Sequence, residues 1–209
     1  SFLGVAKPLD FLFESGHRVT VFTEFTGENP GESFDVFDSP EKTVELPAGK
    51  YEYTRYGLQG ILAPKRRVSG ELTWSTGDFY DGTMQSIEAS LVLKPWSLLT
   101  LTGALERNDG KLPERPDPAE PHDFVQYLTS LRLELNFTPN FQITTFAQYD
   151  NESRSLGSAP RLRWTYDPLG DLFISFNHNM SRTVPGADPA RWRYENDQLQ
   201  VKIQHAFRW

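Results

Sequence analysis

The chain has no cysteine. A disulfide framework and thiolate metal sites are therefore excluded, and the composition suits a periplasmic or outer-membrane protein. Methionine is nearly missing, at two residues, while aromatics make up 13%. Helical 3.6-residue periodicity is hard to find anywhere, so the balance favours strands. No apolar run approaches the roughly eighteen residues of a membrane helix. A basic excess is lacking too: the formal charge is −7, which argues against a general nucleic-acid binder. The opening Ser1-Phe-Leu-Gly-Val carries no basic start and no signal-peptide pattern, so the expectation is a mature chain or a piece of a longer one. Mean hydropathy of −0.52 would be polar for a helical bundle. A membrane barrel hides half of each strand from lipid, so the value does not exclude one.

What the sequence has is alternation. In the last twelve residues Leu199, Val201, Ile203, His205, Phe207 and Trp209 fall on one face, and Gln198, Gln200, Lys202, Gln204, Ala206 and Arg208 on the other. Period two means a strand with one apolar and one polar surface. The same pattern recurs over residues 17–26, 67–75, 83–94, 97–107, 124–137, 141–150, 161–166 and 171–178, and 50–62 reads as a further strand with no facing assigned to Tyr51, Tyr53 and Tyr56, giving about ten strands. Residues 1–16, broken by Pro8 and Gly16, read as a lead-in or short strand. Residues 27–49 read as a long loop with a small excursion through Phe34, Val36 and Phe37. Four prolines in 108–123 (Pro113, Pro116, Pro118, Pro121) mark a solvated loop.

Connection lengths carry a second signal. Counted back from the C-terminus they run long (179–195), short (167–170), medium (151–160), short (138–140), long (108–123) and short (95–96). Outer-membrane barrels have short periplasmic turns and longer external loops. The expectation is thus an all-β, antiparallel up-and-down transmembrane β-barrel over 17–209 in the bacterial outer membrane, with its C-terminus periplasmic. Its lipid-facing set is Leu91, Leu131, Leu133, Ile143, Trp164, Ile174, Val201, Ile203, Phe207 and Trp209. Its lumen-facing set is Arg67, Glu71, Glu88, Arg132, Glu134, Arg161, Arg163, Lys202 and Arg208, in which opposite signs on neighbouring strands would pair. About ten strands would leave such a lumen largely filled; an open pore needs strands from elsewhere.

From Arg67 onward the chain resembles the C-terminal barrel of the bacterial DUF5916 family. The residues carrying this are Arg67-Val-Ser-Gly-Glu-Leu-Thr73, Asp78-Phe-Tyr-Asp-Gly82, Leu131-Arg-Leu-Glu-Leu-Asn-Phe-Thr-Pro139, Gln148-Tyr149, Arg161-Leu-Arg-Trp164 with Tyr166, Asp171-Leu-Phe173, Val201-Lys-Ile203 and Phe207-Arg-Trp209. Leu46-Pro-Ala-Gly-Lys-Tyr51 and Thr54-Arg-Tyr56 are similar as well. Larger family members join a carbohydrate-binding family 9-like domain to an outer-membrane barrel. The resemblance implies the C-terminal portion of a larger barrel, or a shortened relative completed by other chains. His205 and Trp209 stand where the family often has Tyr and Phe, and family members have more strands before residue 17. The carbohydrate-binding domain has no counterpart here, so its function passes to no residue of this chain.

Candidate chemistry is thin. Ser39-Pro-Glu-Lys42 matches S-x-x-K, but Pro40 places it in a loop and neither S-D-N nor K-T-G accompanies it. His17, His122, His178 and His205 make no ligand spacing. The acids Asp35 and Asp38, Asp78 and Asp81, and Asp117, Glu120 and Asp123 lack the D-x-D-x-D-G spacing of a calcium loop. Arg191-Trp-Arg-Tyr194 fits an aromatic girdle beside head groups. No catalytic residue, cofactor or metal is expected. The expected role is an anchor, scaffold or pore component whose partners are lipid and further barrel strands or chains; a glycan partner has no residue-level support. A soluble or secreted β-sandwich that binds glycans is the alternative.

Overall fold

The computed structural model describes residues 1–114, 122–182 and 191–207. Its strands are β1 (Phe2–Leu12), β2 (Arg18–Glu28), β3 (Phe34–Asp38), β4 (Thr43–Leu46), β5 (Tyr51–Leu62), β6 (Val68–Phe79) and β7 (Gly82–Trp96). After them come β8 (Leu99–Lys111), β9 (Asp123–Thr138), β10 (Phe141–Asp150), β11 (Ser155–Ser158), β12 (Arg161–Asp167), β13 (Gly170–Arg182) and β14 (Trp192–His205). Twelve form one sheet, and β3 and β4 pair apart as a hairpin. Every pairing is antiparallel, and the sheet follows chain order from β1 to β10 with β3–β4 inserted between β2 and β5. β11 and β12 pair with successive parts of β10 and β13, so they are two halves of one traverse, and the twelve strands make eleven crossings.

Three prolines fall where the ladder breaks. Pro8 sits in the irregularity between Ala6 and Leu9, Pro95 in that between Leu93 and Trp96, and Pro160 between β11 and β12. A residue with no N–H is tolerated at such interruptions because no ladder donor is lost there. This is why residues 2–12, expected as a lead-in, form a full edge strand despite Pro8. It is also why β7 runs through Pro95 to Trp96 and turns at residues 97–98 instead of at 95–96.

Strand ends extend beyond their sequence expectation. β8 continues to Lys111 and β9 starts at Asp123; β13 continues to Arg182 and β14 starts at Trp192. Polar residues close to the ends still pair, so hydropathy alone places the boundaries too far inward. The longer connections, from β2 to β5, from β8 to β9 and from β13 to β14, join strand ends at one end of the sheet, and the turns 13–17, 63–67, 97–98, 139–140 and 168–169 lie at the other. Two connections depart from this pattern, the four-residue turn 151–154 between β10 and β11 and the one after β6, both at the long-connection end. Gly77–Gly82, read as a loop, is strand up to Phe79 with a two-residue turn, Tyr80-Asp81, at the long-connection end.

The register sorts the side chains. One face carries apolar rows, such as Leu99, Leu135, Ile143, Leu162, Ile174 and Val201 paired in sequence across β8 to β14. Leu91, Leu131, Leu133, Trp164, Ile203 and Phe207 belong to this face by alternation and register. No second sheet covers it among the described residues, so the sandwich alternative lacks its other layer. The opposite face is polar. The count of about ten strands is corrected to eleven crossings, and among the described residues β1 pairs only with β2 and β14 only with β13. With an odd number of crossings, both edge strands run from the long-connection end to the short-turn end.

Candidate functional site

The sole cluster of buried apolar residues described lies on the polar face, at the long-connection end. Hairpin β3–β4 folds over that face and buries Phe37, Val44 and Leu46 against Leu112 and Phe124, with Phe34, Val36, Phe79, Tyr80 and Met84 packed around them. Phe37 stacks on Phe124, whose ring occupies the space over Gly110 on the neighbouring strand. A Cβ at Gly110 would lie 2.3 Å from that ring. Tyr80, in the two-residue turn, meets Phe34, Tyr51, Tyr53 and Phe79 at centroid distances of 4.8 to 5.5 Å. Its hydroxyl donates to Glu28 Oε2 at 2.8 Å. Burial, reinforced by that carboxylate, pushes the phenol above its ordinary range.

Polar ties fix the hairpin from the other side. Lys42 Nζ donates to the Asp123 carbonyl at 2.6 Å and to its carboxylate at 3.3 Å. Glu41 pairs with Arg154 at 2.5 Å. The Arg154 guanidinium, with weaker fields from Arg182 and Lys42, holds the Glu41 carboxyl below the usual carboxylate range. Asp38 N–H donates to Glu152 Oε1 at 2.9 Å. Thus S-x-x-K serves as a turn: Ser39 N–H donates to the Lys42 carbonyl at 2.9 Å and Lys42 N–H to the Ser39 carbonyl at 3.1 Å. The Lys42 ammonium is engaged with Asp123 and is no base for the Ser39 hydroxyl.

Glu152 also ends a hydrogen-bonded line across the polar face. Arg55 Nη2 donates to Ser75 at 2.8 Å and to Ser86 at 2.6 Å; Ser86 donates to Asn108 Oδ1 at 2.6 Å. Asn108 Nδ2 donates to Gln126 Oε1 at 3.4 Å, and Gln126 Nε2 donates to Glu152 Oε2. Ser75 and Ser86 are buried by this network, at 7% and 4% exposure.

Of the polar residues picked out from sequence, Glu71, Glu88, Arg132, Glu134, Arg161, Arg163 and Lys202 share this face by register. Arg67 lies in the turn before β6; Arg208 and Trp209 lie outside the described residues. The expected opposite-sign ladder across neighbouring strands is replaced by a sparser pattern. Arg132 pairs with Glu134 on its own strand at 3.8 Å, Arg163 reaches Asp171 at 3.7 Å, and Glu88 stands directly opposite Glu106. Like charges face each other there, because period-two alternation fixes which face a residue takes but not its partner's sign.

The histidines are dispersed. His17 Nδ1 accepts from Ala63 N–H at 3.1 Å, His178 Nδ1 lies 2.6 Å from Asp197, and His205 pairs with Gly170 at the far end of β13. Among the described residues no three His, Asp or Glu side chains converge as a metal site. Of the acidic clusters, Asp38 accepts from Thr43 at 2.7 Å and Asp123 serves Lys42; Asp117 and Glu120 lie outside the described residues.

The sequence reading missed an amide-rich stretch of the polar face, where Asn177 pairs with Gln198 and Asn179 with Asn196 across β13 and β14. Its signal was present as Asn177-x-Asn179 and Asn196-x-Gln198-x-Gln200 at period two. The docked hairpin was legible only as apolar residues flanking Ser39-Pro-Glu-Lys42. No family model, curated protein or solved structure matches the chain.

Proposed function

We propose that the chain is part of the wall of a bacterial outer-membrane β-barrel, non-catalytic, serving as a membrane anchor or scaffold or as a pore component. The apolar face meets lipid, the polar face lines the lumen, and hairpin β3–β4 narrows the external mouth. The observation that carries this is an inverted pattern of exposure. Leu131 and Ile203 are 54% and 69% exposed, while Thr20 and Ser86 are 2% and 4% exposed. A water-soluble sheet would hide the first pair, since burying an aliphatic side chain is worth about 1.5–3 kcal/mol. In hydrocarbon that preference vanishes and backbone pairing dominates.

Aromatics on the apolar face support the same reading. Near the short turns lie Phe137 with Phe141, and Trp164, Tyr166, His205 and Phe207 in a continuous string. Near the long connections lie Tyr127, Tyr149 and Trp192, and His178 with Tyr194. From Phe141 to Tyr149 is about 27 Å of strand, or about 20 Å of height at the usual barrel tilt of about 40°. The lipid band of outer-membrane barrels is of similar height, about 25 Å.

Two free edges imply partners. An unpaired strand edge inside hydrocarbon is not tolerated, and pairing β14 directly with β1 would be parallel. Bacterial barrels are antiparallel and even-stranded, so the reading requires an odd number of added strands, from the same polypeptide or another chain. The DUF5916 resemblance, with its larger barrel, is part of this proposal, as is a periplasmic C-terminus.

The test is folding behaviour and sidedness. The protein should need detergent to stay in solution and should migrate differently before and after boiling. Protease added to intact cells should cut within 112–122 and spare 139–140. Solubility without detergent, or cleavage at 139–140 alone, overturns the proposal.

A further inference from the structure

On the polar face a line of hydrogen bonds runs from Arg55 to Glu152, and Gln59 donates to Glu71 at 2.6 Å. Beyond the end of that line, towards β14, several amides have no protein partner among the described residues. There a cavity of about 670 Å³ opens between β10, β11, β13 and β14, with Phe146, Gln148, Asn177, Asn179, Asn196 and Gln198 in its wall. Asn179 Nδ2 donates to Asn196 Oδ1 at 2.7 Å. The amides of Gln148, Asn177 and Gln198 have no protein partner among the described residues. Asp197 also borders the cavity, but its carboxylate is held by His178 at 2.6 Å.

We propose that this cavity binds a neutral, polyhydroxylated solute, of the size of a short oligosaccharide. Each amide presents two donors and an acceptor oxygen with two lone pairs. A sugar hydroxyl both donates and accepts, so paired amides suit adjacent hydroxyls, whereas an ionic ligand would call for uncompensated charge. Such charge lies elsewhere on the same face, at Arg161 and Lys202, whereas Arg132, beside the cavity, is paired with Glu134 at 3.8 Å. The Phe146 ring adds an aromatic surface to the wall, with the Arg132 guanidinium 5.6 Å from its centroid. Gly157 leaves the room the solute needs, since a Cβ there would come 3.0 Å from Asn179 Oδ1. The volume falls within the range of about 300–1,000 Å³ typical of small-molecule sites.

The inference rests on reading the polar face as water-filled, and its test separates the two. The native protein, extracted in detergent together with the strands that complete its barrel, is titrated calorimetrically with maltotriose and, in parallel, with trigalacturonate at low and high salt. Maltotriose should bind with an affinity insensitive to salt and greater than that of the charged trimer. The Asn177→Ala/Asn179→Ala variant should bind about thirtyfold more weakly, the loss of two neutral hydrogen bonds of ordinary strength. The isosteric Asn177→Asp/Asn179→Asp variant, which preserves shape, should lose maltotriose as well, while Glu88→Gln should bind as the parent does. Absence of maltotriose binding, preference for trigalacturonate, or indifference to both amide variants overturns the proposal. A protein that stays soluble without detergent yet binds maltotriose through these amides would keep the site and lose the membrane reading. A heat-modifiable barrel that ignores maltotriose would do the reverse.

Discussion

The rings of Phe37 and Phe124 lie 5.6 Å apart with an interplanar angle of 18°. One belongs to a connection and the other to the wall, so this stack seats the hairpin on the sheet. Truncating a large aromatic in a packed core costs about 3–5 kcal/mol, and a hairpin held mainly by one cluster escapes that cost by undocking. Phe37→Ala is expected to expose residues 29–50 to limited proteolysis in detergent while the unboiled gel shift of the sheet persists. Gly110→Val should give the same pattern by displacing the Phe124 ring.

Tyr80 carries a φ of 55° in its two-residue turn, a conformation that costs a residue with a Cβ roughly 1–2 kcal/mol. Its ring contacts and its bond to Glu28 offset that strain. Tyr80→Phe should keep the rings and lower stability by about 1.5 kcal/mol, the low end for a hydrogen bond to a charged group. Ultraviolet titration should show one fewer phenol ionising above the ordinary tyrosine range in the variant than in the parent.

Acid should loosen the hairpin. Glu41 has its carboxyl lowered in the folded state by Arg154. A depressed carboxyl stabilises above its unfolded value, 4.5, and that stabilisation is lost as pH falls through the folded one. Protease sensitivity of 29–50 should therefore rise below pH 4.5 and stay flat above it. In Glu41→Gln the acid-induced rise should be reduced.

Charge on the apolar face should block assembly. Leu133 pairs with Leu101 and Thr145 near mid-strand, and an arginine at the bilayer midplane costs roughly 2–4 kcal/mol. Leu133→Arg should fail to acquire heat-modifiable mobility, whereas Ser130→Arg on the opposite face should acquire it. Normal assembly of Leu133→Arg would reverse the assigned facing.

Most of the sheet was legible because period two is a local property. Leu199 through Phe207 and Leu131 through Phe137 announce strand and facing without any knowledge of neighbours. Three features were not local. Pro8 breaks a pattern in sequence but falls at a bulge in space. Tyr80-Asp81 lacks the glycine that a tight turn with positive φ usually demands, so the sequence suggests a longer loop. The docking of Phe37 depends on Phe124, 87 positions away, and on a glycine whose missing side chain makes the seat. The amide cavity was invisible for a simpler reason: asparagine at polar positions of a strand is ordinary until two strands bring the amides side by side.

The line of hydrogen bonds from Arg55 through Ser86, Asn108 and Gln126 to Glu152 ends on the backbone of the hairpin itself. The cover is therefore moored to the wall by groups that any passing polar solute also wants. A solute that takes Asn108 or Gln126 as its partner slackens the mooring, and a taut mooring repels that solute by the same free energy. In the proposed lumen, solute binding along the wall and the seating of the hairpin would be one thermodynamic variable, written in a single row of side chains.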